Sequence, residues 1–265
     1  MLNFSTSPKK VLEIDFGSRE KWPWSAGFGH TFDIMIHFLC ECLHEEYFPI
    51  INDSTWWYGR WCDFFEPFWD EAEKQRLLQV ESISIEKRDV NIPTLNQYAE
   101  IRNRQYIKDM YDVVAKEIFK YNLRLFEKFS QENTEQFDLA IHIRSGYEMK
   151  GIQPCRKSPI YDISGYLEKM EEIISTENIV FDKIFLLTDS SKVPGIIEAF
   201  FDKEVVSFCP QGCTGSVDDR SPENLELLLK EMDIAIKAKC FIGAKFSNIP
   251  NLINVFRNRE NSYLF

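Results

Sequence analysis

From residue 136 to 265, short apolar runs alternate with amphipathic helical patterns. That alternation confines this half of the chain to a doubly wound α/β architecture around a parallel sheet. The apolar runs fall at 137–143, 183–188, 205–208 and 240–244, and read as strands. The helical patterns between and after them fall at 163–175, 193–201, 222–237 and 249–257. An open parallel sheet binds ligands beyond the carboxyl ends of its strands, so the residues just past each run are where chemistry is expected.

The first half is less regular. A strand is predicted at 11–16. A loop with Trp22, Pro23 and Trp24 and the small-residue turn Ser25-Ala26-Gly27-Phe28-Gly29 follows. Phe32, Met35, Ile36, Leu39 and Leu43 then recur at helical spacing over 30–44. A short strand at 48–51 ends at Asn52-Asp53-Ser54, and the stretch from Trp56 to Trp69 is aromatic and irregular. Residues 70–95 are polar and mixed, and a long helical pattern covers 98–130. The polar run at 131–135 is the expected boundary between a lobe at 1–135, carrying the long helix, and a Rossmann-like lobe at 136–265. Apolar residues make up 44% of the 265, enough to build a core in each lobe.

The four strand ends of the second half carry a coherent set of groups. His142-Ile143-Arg144-Ser145-Gly146 closes the first, Thr188-Asp189-Ser190-Ser191 the second, and Pro210 to Gly215 the third. Lys245-Phe246-Ser247-Asn248 closes the fourth at a predicted helix start. A helix N-terminus with a serine is a ready anion site, and an arginine can clamp a phosphate through two donors. Each residue also has a plainer reading: Arg144 as a surface ion pair, Asp189 as a helix cap, Ser247 as an N-cap. Their convergence on one sheet edge favours a diphosphate pocket. Gly27-x-Gly29 ahead of the first helix lets backbone N–H groups approach a phosphate. It is not the full G-x-G-x-x-G, so a nicotinamide cofactor has no support.

These motifs resemble a family. Ala140-Ile-His142-Ile-Arg144-Ser-Gly resembles the H-x-R signature of the α1,6-fucosyltransferases, nodulation fucosyltransferases and peptide O-fucosyltransferases. Phe185-Leu-Leu-Thr188-Asp189-Ser190 resembles their strand followed by T-D. Asp233-Ile-Ala-Ile through Cys240 to Phe246-Ser247-Asn248 resembles their final D-I-x-x-L…F-S-S segment. Ala26-Gly27-Phe28-Gly29 resembles their glycine loop, and the aromatic stretch from Asn52 to Pro67 has its counterpart too. The resemblance implies a GT-B-like fold of two Rossmann-type lobes, the first facing the acceptor, with GDP-fucose between them. It implies inverting, metal-independent transfer to a glycan hydroxyl, with the GDP-sugar as substrate and no cofactor. Carried over, Arg144 binds the donor β-phosphate. His142 and Asp233 contact the nucleotide, and Asp189 holds the base or ribose side. Ser247 and the Gly27 and Gly29 amides touch the diphosphate, with Phe28 and Phe246 in the same two segments. Tyr58 lines the donor site.

Three departures stand out. Ser145 replaces the second arginine of the α1,6 enzymes, and Ser190 their second aspartate. Tyr147 occupies their downstream acidic position, with Glu148 one residue on as the candidate catalytic base. Another nucleotide-sugar donor, or a binding module without catalysis, are therefore the alternatives. No D-x-D motif is present, and Asp218-Asp219 reads as a solvated turn, so no metal is expected. A net charge of −11 with no basic stripe argues against nucleic acid. Seven cysteines without regular spacing argue against a disulfide scaffold. The N-terminus lacks a signal-peptide core and no run is long enough to span a bilayer, so a soluble, cytoplasmic protein is expected.

Overall fold

The computed structural model describes residues 2, 4, 10–16, 28–54, 56, 58–68, 71–80, 83–90, 100–119, 123–132, 135–144, 163–208, 221–245 and 247–265. The chain divides into two compact units, Met1–Glu127 and Lys128–Phe265.

The first unit is built on a parallel sheet with β1 (Lys10–Asp15) at its centre. β2 (Tyr47–Asn52) lies on one side and β3 (Ser84–Asp89) on the other. Val11 sits level with Phe48 on β2 and with Ile85 on β3. β1 takes the centre because Val11, Leu12 and Ile14 can all be buried there. Helix α1 (Phe28–Glu45) is buried along nearly its whole length, including Phe32, Met35, Ile36 and Leu39. α2 (Trp61–Phe64) is a single turn in the aromatic stretch. α3 (Glu71–Leu78) drops Leu77 onto Val11, Phe48 and Ile50. α4 (Gln105–Glu117) packs beside α1.

The predicted helix over 98–130 is not continuous. α4 ends at Glu117. Further on, Leu123 forms an antiparallel bridge with Phe65, and Arg124 N–H donates to Phe64 O at 2.8 Å. The Arg124 guanidinium also meets the Glu66 carboxylate at 3.0 Å. The apolar period continues through this point, but pairing with the 64–66 segment overrides it. Helix α5 (Phe126–Glu132) then straddles the division between the units.

The second unit holds five parallel strands in the order β6-β5-β4-β7-β8, with β4 at Leu139–Ile143, β5 at Lys183–Thr188, β6 at Glu204–Val206, β7 at Cys240–Gly243 and β8 at Ser262–Leu264. α6 (Ile163–Thr176), α7 (Val193–Phe201), α8 (Pro222–Lys237) and α9 (Asn248–Phe256) connect them. On one face Leu139, Ile141 and Ile143 pack with Tyr166 and Met170 of α6 and Val193 and Ile197 of α7. α8 covers β4 and β5 on the other side of the sheet, and α9 lies on β7. Ser221 caps α8 by accepting from Asn224 N–H at 3.2 Å, with Pro222 entering the first turn. Arg257, just past α9, donates to the carbonyls of Ala235, Ile236, Ala238 and Lys239 and to Ser262 Oγ, all at 2.6–3.0 Å. One guanidinium thus satisfies the C-terminal carbonyls of α8 and ties them to β8.

Candidate functional site

All five β4 residues are buried, and the strand has a parallel neighbour on each side. The chain leaves β4 toward β5 and returns on the other side as β7. The strand order therefore reverses between β4 and β7. A crevice at that point is where open α/β sheets hold ligands. Arg144 follows β4 directly and is half-buried. Two residues before it, His142 lies level with Gly243 of β7. His142 is 8% exposed, and its Nδ1 has no hydrogen-bond partner among the described residues. Burial, and then the charge of Arg144, push its pKa down to about 3. The imidazole is neutral at any physiological pH and keeps one ring nitrogen unused among the described residues.

Gly243 has no room for a side chain. A Cβ there would stand 2.8 Å from Pro250 Cβ, so the glycine lets α9 lie close on β7. α9 begins at Ser247, whose N–H donates to Ala244 O at 3.1 Å. Ser247 is 3% exposed, and its hydroxyl makes no capping bond. Asn251 Nδ2 instead donates to Lys245 O at 2.8 Å and to Ser247 O at 2.9 Å. The first amides of α9 lack partners within the helix, as at any helix start.

At the end of β5, Thr188 Oγ1 accepts from Ser190 N–H at 3.3 Å and Ser190 Oγ accepts from Lys192 N–H at 3.4 Å. Half-buried Asp189 lies between them. It is not the cap of α7, whose N-cap is Lys192. Asp233 is 1% exposed on α8 and accepts from Lys237 Nζ at 2.7 Å, one helical turn on. Glu148, Phe246 and Gly27 lie outside the described residues, as do Cys155, Cys209 and Cys213; Cys40, Cys42, Cys62 and Cys240 are free thiols.

In the first unit, helix α1 starts two residues earlier than its apolar period predicts. Phe28 and Gly29 belong to its first turn and not to the loop. Phe28 N–H donates to Tyr58 Oη at 3.2 Å, so the tyrosine hydroxyl already occupies one of the α1 start donors. Tyr58 is held by its surroundings. Asp53 accepts from Arg60 Nε at 2.8 Å and from Trp61 N–H, which closes the 53–61 loop. The Trp56 ring meets the Tyr58 ring edge-on at 5.5 Å, and Phe16, Trp56, Trp61 and Phe65 pack on one another at ring separations of 4.2–6.5 Å.

A second polar set on α1 went unread in the sequence. Asp33 accepts from the Tyr111 hydroxyl and faces Arg102 at 3.6 Å. His37 Nδ1 lies against Asp33 O at 2.5 Å, and burial lowers its pKa. Glu41 lies between Arg88 at 3.8 Å and Arg104 at 3.6 Å. The available signal was the i, i+4, i+8 spacing of three ionisable residues on an otherwise apolar helix.

No protein-family model matches the chain, and no curated protein matches its sequence. Solved structures do. One is an arginine-to-lysine mutant of Arabidopsis thaliana FUT1 in complex with GDP. It matches 99% of this chain over 71% of its own length, at 8% identity and a TM-score of 0.56. POFUT1 in complex with GDP aligns over 98% of this chain and 99% of its own, at 12% identity and a TM-score of 0.49. The likeness to FUT1 shows a shared fold, the GT-B-like α/β fold with parallel sheets in both units. Among the described residues, no helix is long and apolar enough to cross a membrane.

Proposed function

We propose that this chain is an inverting, metal-independent glycosyltransferase that moves fucose from GDP-fucose to a glycan hydroxyl. The observation that carries the reading is the convergence at the β4/β7 crevice. A half-buried arginine, a neutral histidine with an unused nitrogen, and a helix start with an uncapped serine hydroxyl meet at one rim. Support also comes from the fold shared with FUT1, a fucosyltransferase solved with GDP.

The chemistry asks little more of the site. The bond from the sugar's anomeric carbon to the β-phosphate oxygen breaks, and its electron pair leaves with GDP. The acceptor hydroxyl attacks from the opposite face and gives up its proton to a base, for which Glu148 is the candidate. Charge grows on the departing phosphate oxygen. A fixed guanidinium and a helix start bind that charge more strongly than the ground state, which lowers the barrier. Those two groups are the reason no metal is required in this reading. His142, neutral, offers its free nitrogen to the nucleotide, Asp189 serves the base or ribose side, and Asp233 the guanine edge.

Arg144→Ala should fold normally and lose transfer by about 10²- to 10³-fold or more, the usual effect of removing a group that stabilises transition-state charge. Transfer from GDP-fucose in that variant at the wild-type rate would refute the role. Melting with GDP against UDP separates the donors, because a nucleotide bound only by the native state raises the melting temperature.

A further inference from the structure

We infer that Lys245 is a second cation of the diphosphate site, paired with Arg144 across the β4/β7 crevice. The inference rests on the nucleotide-sugar reading above, and it adds a residue to which that reading gives no role.

The pairing follows from register. His142 and Gly243 are partners on adjacent parallel strands, and Arg144 and Lys245 each lie two residues further along. The ladder does not end at Gly243. Phe265 N–H donates to Gly243 O at 3.2 Å, and Lys245 N–H donates to Phe265 O at 3.0 Å, so backbone pairing with the β8 side continues as far as Lys245. Side chains alternate along strands, and partners in a ladder share a face. Ile141, Ile143, Ile242 and Ala244 take the face that packs against α6 and α7. Gly243 takes the opposite face, against Pro250 of α9. Alternation assigns His142, Arg144 and Lys245 to that same face.

Three further observations point to an anion there. Lys245 is exposed and makes no ion pair or side-chain hydrogen bond among the described residues, although acidic groups abound in a chain of net charge −11. The Ser247 hydroxyl, in a residue 3% exposed, makes no capping bond at the start of the nine-residue helix α9. The carboxamide of Asn251 holds the carbonyls of both Lys245 and Ser247, which ties the two residues to one side chain of α9. A diphosphate carries charge on both phosphates and gains more as the sugar leaves. Ser145, next to Arg144 in sequence, supplies no cation, and Lys245 adds one from the neighbouring strand.

The test is calorimetric titration with GDP and with inorganic pyrophosphate, on the wild type, Lys245→Met, Lys245→Arg and Arg144→Ala. The Lys245 side chain is exposed and only its backbone carries the ladder bond, so both Lys245 variants keep the fold, which a thermal melt checks. Lys245→Met should weaken both ligands by about ten- to a hundredfold, the worth of one charged hydrogen bond, and Lys245→Arg should restore most of it. If Lys245→Met binds both ligands as the wild type does while Arg144→Ala does not, the second cation is wrong and the enzyme reading stands. A loss that Lys245→Arg fails to repair marks a structural role and also overturns the inference. Pyrophosphate binding that depends on Lys245, without GDP binding, keeps the cation pair and defeats the nucleotide-sugar reading. A wild type that binds neither defeats both.

Discussion

Acidification from about pH 7.5 to about pH 5 should destabilise the second unit by about 2 kcal/mol through His142 alone. The folded pKa is about 3, set by burial and by Arg144, against 6.5 for the free group. The folded state therefore binds a proton more weakly than the unfolded chain. Stability is complete above about pH 6.5 and falls as the pH drops toward 3, where the full loss approaches about 5 kcal/mol. At pH 5 the unfolded histidine is almost fully protonated and the folded one is not, which gives the figure of about 2 kcal/mol. The assay is amide hydrogen exchange read on the peptide that contains β4. Tryptophan emission is no substitute, because all six tryptophans lie before residue 70. His142→Gln removes the titration. Its packing cost is the same at both pH values and cancels in the difference. After correction for intrinsic exchange, wild-type β4 should lose about 30-fold more protection than the variant over this pH interval. His37, also buried with a lowered pKa, is common to both proteins and cancels as well. Equal losses in wild type and variant, within about 0.5 kcal/mol, would mean that His142 is hydrated or paired in solution, and the reasoning would fail.

Two further changes probe the frame of the site. Gly243→Ala puts a Cβ 2.8 Å from Pro250 Cβ, a ring atom that cannot swing away. It should destabilise by about 1–3 kcal/mol in denaturant and weaken GDP binding by shifting α9, whereas unchanged stability would show that α9 yields freely. Arg257→Met strips the guanidinium from four carbonyls and a serine hydroxyl, and should cost about 3–5 kcal/mol by urea unfolding; a loss below about 1 kcal/mol would mean that water replaces it.

Much of the second unit was legible because its elements are set by local pattern. The runs at 183–188, 193–201 and 222–237 match β5, α7 and α8 at both ends. β3 was not legible. Its Ser-Ile-Glu-Lys-Arg-Asp sequence is charged and largely exposed at a sheet edge, so no apolar alternation marks it. β8 is three residues long and owes its existence to β7 and Arg257, neither of which a local window contains. The helix break at Leu123 depends on Phe65, and the Asp33 carboxylate depends on Tyr111, 78 residues away. The site divides in the same way. Arg144, Asp189 and Ser247 follow strands that could be read directly. Lys245 stood in plain view beside Ser247, but its relation to Arg144 exists only in the register of two strands that are a hundred residues apart in sequence.

The Arg257 clasp has an effect on how this unit should come apart. Its partners are neutral carbonyls and a hydroxyl, and a guanidinium does not titrate in water, so neither acid nor added salt loosens it. It joins the end of α8 to β8 at the amino-terminal rim, while the proton-sensitive imidazole sits toward the opposite rim, beside Arg144. Mild acid should therefore unzip the sheet from the crevice downward and leave the far edge riveted until last.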